Sequence, residues 1–243
     1  MGQIVSNERL SHDIYRMTVA GTYAGQMGQF YMLRCDDGYR GDRYRLLSRP
    51  ISIHDRNERE ITFLYRVHGR GTALLAELDA GQRVLLEGPF GNGFPSLEQP
   101  GRIALVGGGM GVAPLLPILR NYRDADVFLG YTGEPFAVDY YCQAAATAQQ
   151  VQVLSHTTRS ILERIQPDRY DTIMACGPVG MLKALADMCT DQQLYISIEK
   201  RMACGIGACL GCTVRTMTGN RRTCQEGPVF PVEEVLWHEL ASL

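Results

Sequence analysis

Four cysteines, Cys204, Cys209, Cys212 and Cys224, spaced C-x4-C-x2-C-x11-C, constrain this chain more than any other feature. The first three repeat the plant-type ferredoxin spacing. A [2Fe-2S] cluster needs four thiolates converging on a small rhomb, with the backbone folded tightly around the sulfides. Gly205, Gly207 and Gly211 permit positive φ and close approach. Ala203 and Ala208 keep the wall small. Backbone N–H groups then reach the sulfurs and help to set the potential. Structural zinc is the rival, although zinc sites usually pair two short clips across a longer stretch. Four unrelated buried thiols are the plain alternative.

The remaining cysteines, Cys35, Cys142, Cys176 and Cys189, are scattered among apolar neighbours. An even count also suits disulfides, but no secretory signal opens the chain. In a reducing compartment clustered cysteines more often bind metal or a cluster, so a cytoplasmic location is expected. The net charge of −2 and the lack of a Lys/Arg run argue against nucleic acid. No apolar run approaches the roughly 20 residues of a membrane span. Met1-Gly2-Gln3-Ile4-Val5-Ser6 matches a myristoylation pattern, but Gln3 to Val5 read better as the start of a strand.

With 243 residues, 45% of them hydrophobic, the chain suits two small domains and a short extra lobe. Residues 1–98 read as β structure: Tyr15–Val19, Gln29–Leu33, Ile61–Val67 and Val84–Glu87 are strand-like runs between turns. They predict a small barrel or sandwich, with one helix over Thr72–Leu78 capped by Thr72. Residues 99–195 alternate strand and helix. Strands are expected at Ile103–Val106, Val127–Tyr131, Val151–Leu154 and Thr172–Ala175, and helices over Val112–Tyr122 and Val179–Met188. That alternation predicts a parallel sheet covered on both faces. Residues 196–243 form the cysteine- and glycine-rich region, and Glu98 to Gly101 mark the first boundary.

Gly107, Gly109 and Gly111 follow the first apolar strand as G-x-G-x-G, with Pro114 behind them. Free N–H groups at a helix start suit a pyrophosphate, and Pro114 in a first turn sacrifices no hydrogen bond. The pattern departs from G-x-G-x-x-G, and no acid stands at the expected spacing. Glu134 is the nearest candidate for ribose contact. A plain strand–helix turn is the alternative.

Further segments keep this loop company. Arg49-Pro50-Ile51-Ser52 lies on a predicted strand, Leu64-Tyr65-Arg66 ends the next, and Gly71-Thr72 opens the short helix. Gly88-Pro89-Phe90-Gly91 follows the last strand of the β segment, and Cys176-Gly177-Pro178 follows a later one. In this order they resemble the ferredoxin-reductase superfamily, with an FAD-binding Greek-key barrel before a nicotinamide-binding domain. The stretch from Glu199 to Cys209 and the closing Glu226-Gly227-Pro228-Val229-Phe230 narrow the resemblance. The chain is similar to the electron-transfer subunits of two-subunit, NAD-linked dihydroorotate dehydrogenases.

The resemblance implies roles residue by residue. Arg49, Pro50, Ile51 and Ser52 hold the FAD pyrophosphate and isoalloxazine, with Arg49 gripping phosphate in a fork and Ser52 near the flavin N5. Leu64, Tyr65 and Arg66 line the flavin, and Gly71 and Thr72 meet the phosphates. Gly107, Gly109, Gly111, Cys176, Gly177 and Pro178 belong to the NAD site. The plain reading of Arg49 is a surface salt bridge, and of Cys176 a small buried hydrophobe. Pro50-Ile51 stand where many relatives carry an aromatic residue, which leaves that flavin face without its usual stacking partner.

By the same resemblance, hydride passes between nicotinamide and FAD, and single electrons pass between FAD and the cluster. They continue to the FMN of a separate catalytic subunit that oxidises dihydroorotate, in an assembly with two copies of each chain. The cofactors carry the chemistry and no catalytic side chain is expected. The three segments leave no room for a second flavin barrel of roughly 250 residues. Dihydroorotate oxidation is therefore expected only with the partner. NADH is the expected nucleotide, since no arginine directly follows Val127–Tyr131. Arg159, after the next strand, is the arginine able to reach a 2′-phosphate. Reductase subunits of sulfide dehydrogenase, glutamate-synthase-like or hydrogenase complexes share the layout and are the alternatives. A redox-sensing regulator is another.

Overall fold

The computed structural model describes residues 1–35, 47–155 and 160–240. Six antiparallel strands close into a barrel: β1 (Gly2–Arg9), β2 (Ile14–Ala20), β3 (Phe30–Cys35), β4 (Arg49–Arg56), β5 (Glu60–Arg66) and β6 (Arg83–Phe90). Their spatial order, β1-β2-β5-β4-β3-β6, places the β3–β4 pair inside the return from β2 to β5, a Greek-key path. Residues two apart point to one face of a strand. Thus Met17 and Val19, Tyr31 and Leu33, and Ile61, Phe63 and Tyr65 fill the barrel interior. Each fully buried aliphatic or aromatic side chain contributes about 1.5–3 kcal/mol.

The single helix between β5 and β6, α1, spans Arg70–Ala76. It starts two residues before the predicted Thr72, and Gly69 rather than Thr72 is its N-cap. The Thr72 hydroxyl lies within the first turn, accepting from His68 N (2.7 Å) and donating to Gly69 O (3.2 Å). Gly88, Pro89 and Phe90 also differ from expectation, since they extend β6 instead of following it.

The second sheet carries parallel strands β7 (Ile103–Gly108), β8 (Asp126–Gly130), β9 (Val151–Leu154), β10 (Thr172–Cys176) and β11 (Gln193–Ser197). Helices α2 (Leu116–Asn121), α3 (Val138–Ala144) and α4 (Val179–Met188) accompany them. Every residue of β7 and β10 is buried, as strands covered on both faces require. Leu105, Val127, Leu129 and Met174 face Leu116, Leu119 and Tyr141 on one side, a core shared with Ile14, Met27 and Leu64 of the barrel. Ala104, Val106, Phe128 and Ile173 face Leu182 and Leu185 on the other. The helix predicted over Val112–Tyr122 is two pieces: a 3-10 turn over Gly109–Leu115, then α2. Pro114 sits inside the 3-10 turn.

After β11 come the hairpin β12 (Thr213–Thr216) and β13 (Gly219–Arg222), then β14 (Val229–Pro231) and α5 (Trp237–Leu240). β14 pairs antiparallel with β11, so the cysteine region lends its last strand to the edge of the parallel sheet, in the order β14-β11-β10-β7-β8-β9. Among the described residues no helix is long and apolar enough to cross a membrane.

Candidate functional site

Ligands of open α/β sheets bind at the carboxyl ends of the strands, and two adjoining cavities lie there, between sheet and barrel. The smaller, about 290 Å³, is bordered by Pro50, Ile51 and Ser52 of β4, Leu64 to Arg66 of β5, and Cys176 at the end of β10. Ser197, Met202, Phe30 and Pro228 complete its wall. Tyr65 borders this cavity, yet its ring belongs to the barrel core and its hydroxyl donates to Asn7 Oδ1 (3.0 Å). The larger cavity, about 1000 Å³, is lined by Gly108 to Gly111, by Tyr131 to Glu134 after β8, and by Gly177 and Pro178 after β10. Ser11 to Ile14 close it from the barrel side. Arg66, His68, Met110, Ile198 and Glu199 border both spaces.

Gly109 and Gly111 therefore reach the larger cavity, whereas Gly107 is buried beneath it, against Leu115 and Val112. Gly111 has no substitute, because a Cβ there would collide with the Cys176 carbonyl. Arg49 and Gly71 meet in a separate notch with Leu33 and Leu74. A Cβ at Gly71 would strike the Arg49 guanidinium. Arg49 also donates to the Leu47 carbonyl. Arg159 lies outside the described residues.

Two titratable groups, Cys176 and Glu199, share the wall of the smaller cavity. Burial pushes the Cys176 thiol far up, and the Glu199 charge adds to this. Cys176 is thus a neutral thiol in the wall. Glu199 is exposed where it opens onto both cavities, and the protein lining them desolvates its carboxylate and raises its pKa; the Arg66 guanidinium opposes that rise. Glu199, Ser197, Met202 and Phe30 join the site although no motif of the sequence marks them as binding residues. Ser197 and Glu199 had one usable signal, their position at the carboxyl end of a parallel strand.

The four cysteines gather in the lobe beyond β11. All are free thiols: Cys212 and Cys224 are buried, Cys204 half-buried and Cys209 exposed. Among the described residues no three His, Cys, Asp or Glu side chains stand together in metal-binding geometry. The donor set nevertheless fits an iron–sulfur cluster. Cys209 N–H points at Cys204 Sγ (3.4 Å), and the N–H groups of Ile206 and Ala208 also face that sulfur. These donors hold the Cys204 thiol down at about 6. Burial and the neighbouring Cys212 push Cys224 up to about 12, against a hydrogen bond from Gly207 N–H. Thr223 donates through N (3.1 Å) and Oγ1 (3.2 Å) to the Cys212 carbonyl, so the segments bearing Cys212 and Cys224 are tied together.

The lobe is packed onto the smaller cavity. Phe30, Met32, Cys212 and Cys224 form one buried cluster, with Phe90 and Met202 against it. A Cβ at Gly205 would lie 2.7 Å from Met32 Cγ. Asn92 N donates to Gly227 O (2.6 Å), joining the turn after β6 to the segment after Cys224.

Barrel, parallel sheet, paired cavities and cysteine lobe together define a fold of ferredoxin-reductase type. A solved NADH-dependent reduced ferredoxin–NADP oxidoreductase has the same fold, with a TM-score of 0.81 and 24% identity, over 100% of this chain and 91% of that one. Full-length CYP116B46 from Tepidiphilus thermophilus matches with a TM-score of 0.68 and 16% identity, over 96% of this chain and 41% of that one. Residues 199–236 match the family described as the iron-sulfur cluster binding domain of dihydroorotate dehydrogenase B. The dihydroorotate dehydrogenase B (NAD(+)) electron transfer subunit of Clostridium acetobutylicum is 36% identical over 244 residues, covering 98% of this chain and 97% of that protein. That of Bacillus velezensis is 36% identical over 252 residues, 96% of each. The chain belongs to this family of dihydroorotate dehydrogenase B electron transfer subunits.

Proposed function

We propose that the chain relays electrons from a dihydroorotate-oxidising partner to NAD+, in pyrimidine biosynthesis. The barrel, residues 1–98, would hold FAD; residues 99–195 would hold NAD; residues 196–243 would hold a [2Fe-2S] cluster on Cys204, Cys209, Cys212 and Cys224. When bound, FAD supplies two-electron exchange with nicotinamide and one-electron exchange with the cluster.

The chain's own residues orient and shield these groups. Pro50, Ile51 and Ser52 form one wall of the flavin pocket, and Leu64 to Arg66 another. Arg49, packed on Gly71, supplies positive charge for the FAD pyrophosphate. Gly109, Gly111, Gly177 and Pro178 carry the nucleotide in the larger cavity, and Glu134, on the same wall, would accept from a ribose hydroxyl. Cys176, as a neutral thiol, walls the junction without taking a proton from substrate.

The observation that carries this reading is the layer of Phe30 and Met202. Both border the smaller cavity and both pack with Cys212 and Cys224, so flavin and cluster would be neighbours with water excluded between them. On the outer side Ile206 and Leu210 are 59% and 62% exposed beside the exposed Cys209. Apolar side chains around a surface redox centre suit a docking partner. That partner is an FMN-containing catalytic subunit, with two copies of each chain in the cytoplasmic assembly.

Anaerobically purified chain should carry FAD, about two irons and acid-labile sulfide. It should reduce ferricyanide with NADH yet leave dihydroorotate untouched until the FMN subunit is added. Zinc without sulfide, or dihydroorotate oxidation by the isolated chain, refutes the reading.

A further inference from the structure

The ligand-bearing segments, residues 204–212 and Cys224, are separated by the β12–β13 hairpin, and beside the Thr223–Cys212 tie a second side chain joins them. Arg222, the last residue of β13, lies two positions before Cys224. Its carbonyl accepts from the N–H groups of Gln225 (3.0 Å), Glu226 (2.9 Å) and Gly227 (3.3 Å), which curls the chain around Cys224. Arg222 N and Nε both donate to Glu226 Oε2, at 2.6 and 3.1 Å, and Nη2 donates to Oε1. Arg222 Nη1 then crosses to the first segment and donates to the Gly207 carbonyl (3.2 Å).

That carbonyl belongs to the peptide whose N–H, on Ala208, faces Cys204 Sγ, while Gly207 N–H faces the Cys224 thiol. Gly207 has φ +78°, and a Cβ on it would lie 3.0 Å from Arg222 Nη1. A single guanidinium therefore polarises a peptide that donates to one sulfur and steadies the neighbour that donates to another; chained hydrogen bonds of this kind strengthen one another. The Arg222 charge also acts directly on Cys212 and Cys224. Glu226 partly neutralises it, in a pair only 37% and 28% exposed. The fork geometry and the third, main-chain partner set it apart from a loosely held surface pair.

We propose that Arg222 and Glu226 are a positioning pair for the iron–sulfur centre. Arg222 sets the distance between the two ligand segments, and the balance of its charge against Glu226 tunes the cluster potential. The proposal rests on the reading that the four cysteines hold a [2Fe-2S] cluster.

Arg222→Gln, Glu226→Gln, Arg222→Lys and the double Arg222→Gln/Glu226→Gln variant test it in FAD-loaded protein. Iron, sulfide and FAD are assayed first, then the cluster midpoint by EPR-monitored titration and iron release to a chelator. Arg222→Gln leaves an unpaired carboxylate by the sulfurs, so its midpoint should shift negative. Glu226→Gln leaves an unbalanced guanidinium, so its midpoint should shift positive. The double variant should return toward the parent. Arg222→Lys keeps the charge but loses the fork, so it should keep the midpoint and hold iron about 10-fold or more weakly. If Arg222→Gln loses the cluster, retention of FAD and of cluster in Arg222→Lys supports the positioning role. Equal loss of FAD and iron in every variant makes the pair structural and overturns the proposal. Midpoints that do not move, or that move in one direction for both single variants, also overturn it. A parent with FAD but no iron or sulfide refutes the cluster reading itself, and the pair's role with it.

Discussion

Arg49 shows how a residue is committed by its neighbours. A lone arginine on a strand is usually solvated, but this one lies against a position where only hydrogen fits, Gly71, at the start of α1. A charge-assisted phosphate contact is worth about 1.5–3 kcal/mol. Arg49→Ala should therefore weaken FAD binding by roughly 10- to 150-fold, measured by flavin fluorescence titration, while iron content stays at the parental level. Unchanged affinity would release Arg49 from the flavin site. Cys176 shows the opposite case. The sequence left a small buried hydrophobe and a chemical role equally open, and enclosure among Glu199, Ser197 and apolar neighbours makes it a neutral wall.

β4 joins two tasks along one strand. Its first half borders the smaller cavity, and its second half is bolted to the parallel-sheet domain. Asp55 accepts a forked pair from Arg120 of α2, at 2.6 and 2.8 Å. His54, fully buried, donates through Nδ1 to the Ala113 carbonyl (2.9 Å) of the glycine-loop turn. Burial lowers its pKa to about 4, a drop that the Ala113 hydrogen bond and Asp55 oppose. An unfolded imidazole takes a proton near 6.5, whereas the folded chain refuses one until about pH 4. Stability should therefore fall as pH drops from about 6.5 to 4 and level off below, by about 3 kcal/mol at most. His54→Asn keeps an N–H for Ala113 and has nothing to titrate. Its urea midpoint should lose less than the parent's between pH 7 and 4.5, and parallel losses would show that His54 carries none of the acid sensitivity. The sequence placed Arg49 to Ser52 on a strand, but nothing in it distinguished His54 from any other histidine.

Across the whole molecule the larger cavity adjoins the smaller, and the Phe30–Met202 layer separates the smaller from the cysteine lobe. Cys212 lies at the inner end of that lobe, buried against Phe30 and Met32. Cys212→Ser should abolish iron and sulfide binding while FAD and NADH–ferricyanide activity persist. Dihydroorotate-dependent NAD+ reduction with the FMN subunit should vanish, and its survival would mean that electrons bypass the cluster. The sequence by itself determined the β segment, the parallel sheet and the cysteine spacing, because each depends on local pattern: alternation in strands, fully apolar runs in covered sheets, glycines between ligands; that pattern fits barrel and sandwich alike, and the barrel came from the resemblance. It also determined family membership, through motifs held in order along the chain. Tertiary structure alone decided how the parts share boundaries. β14 crosses from the cysteine region to the parallel sheet because the edge of β11 offers unpaired backbone groups. Phe30 and Met202, 172 residues apart, become one wall only when barrel and lobe pack together. Such juxtapositions arise from long-range burial, which leaves no periodic mark in either segment.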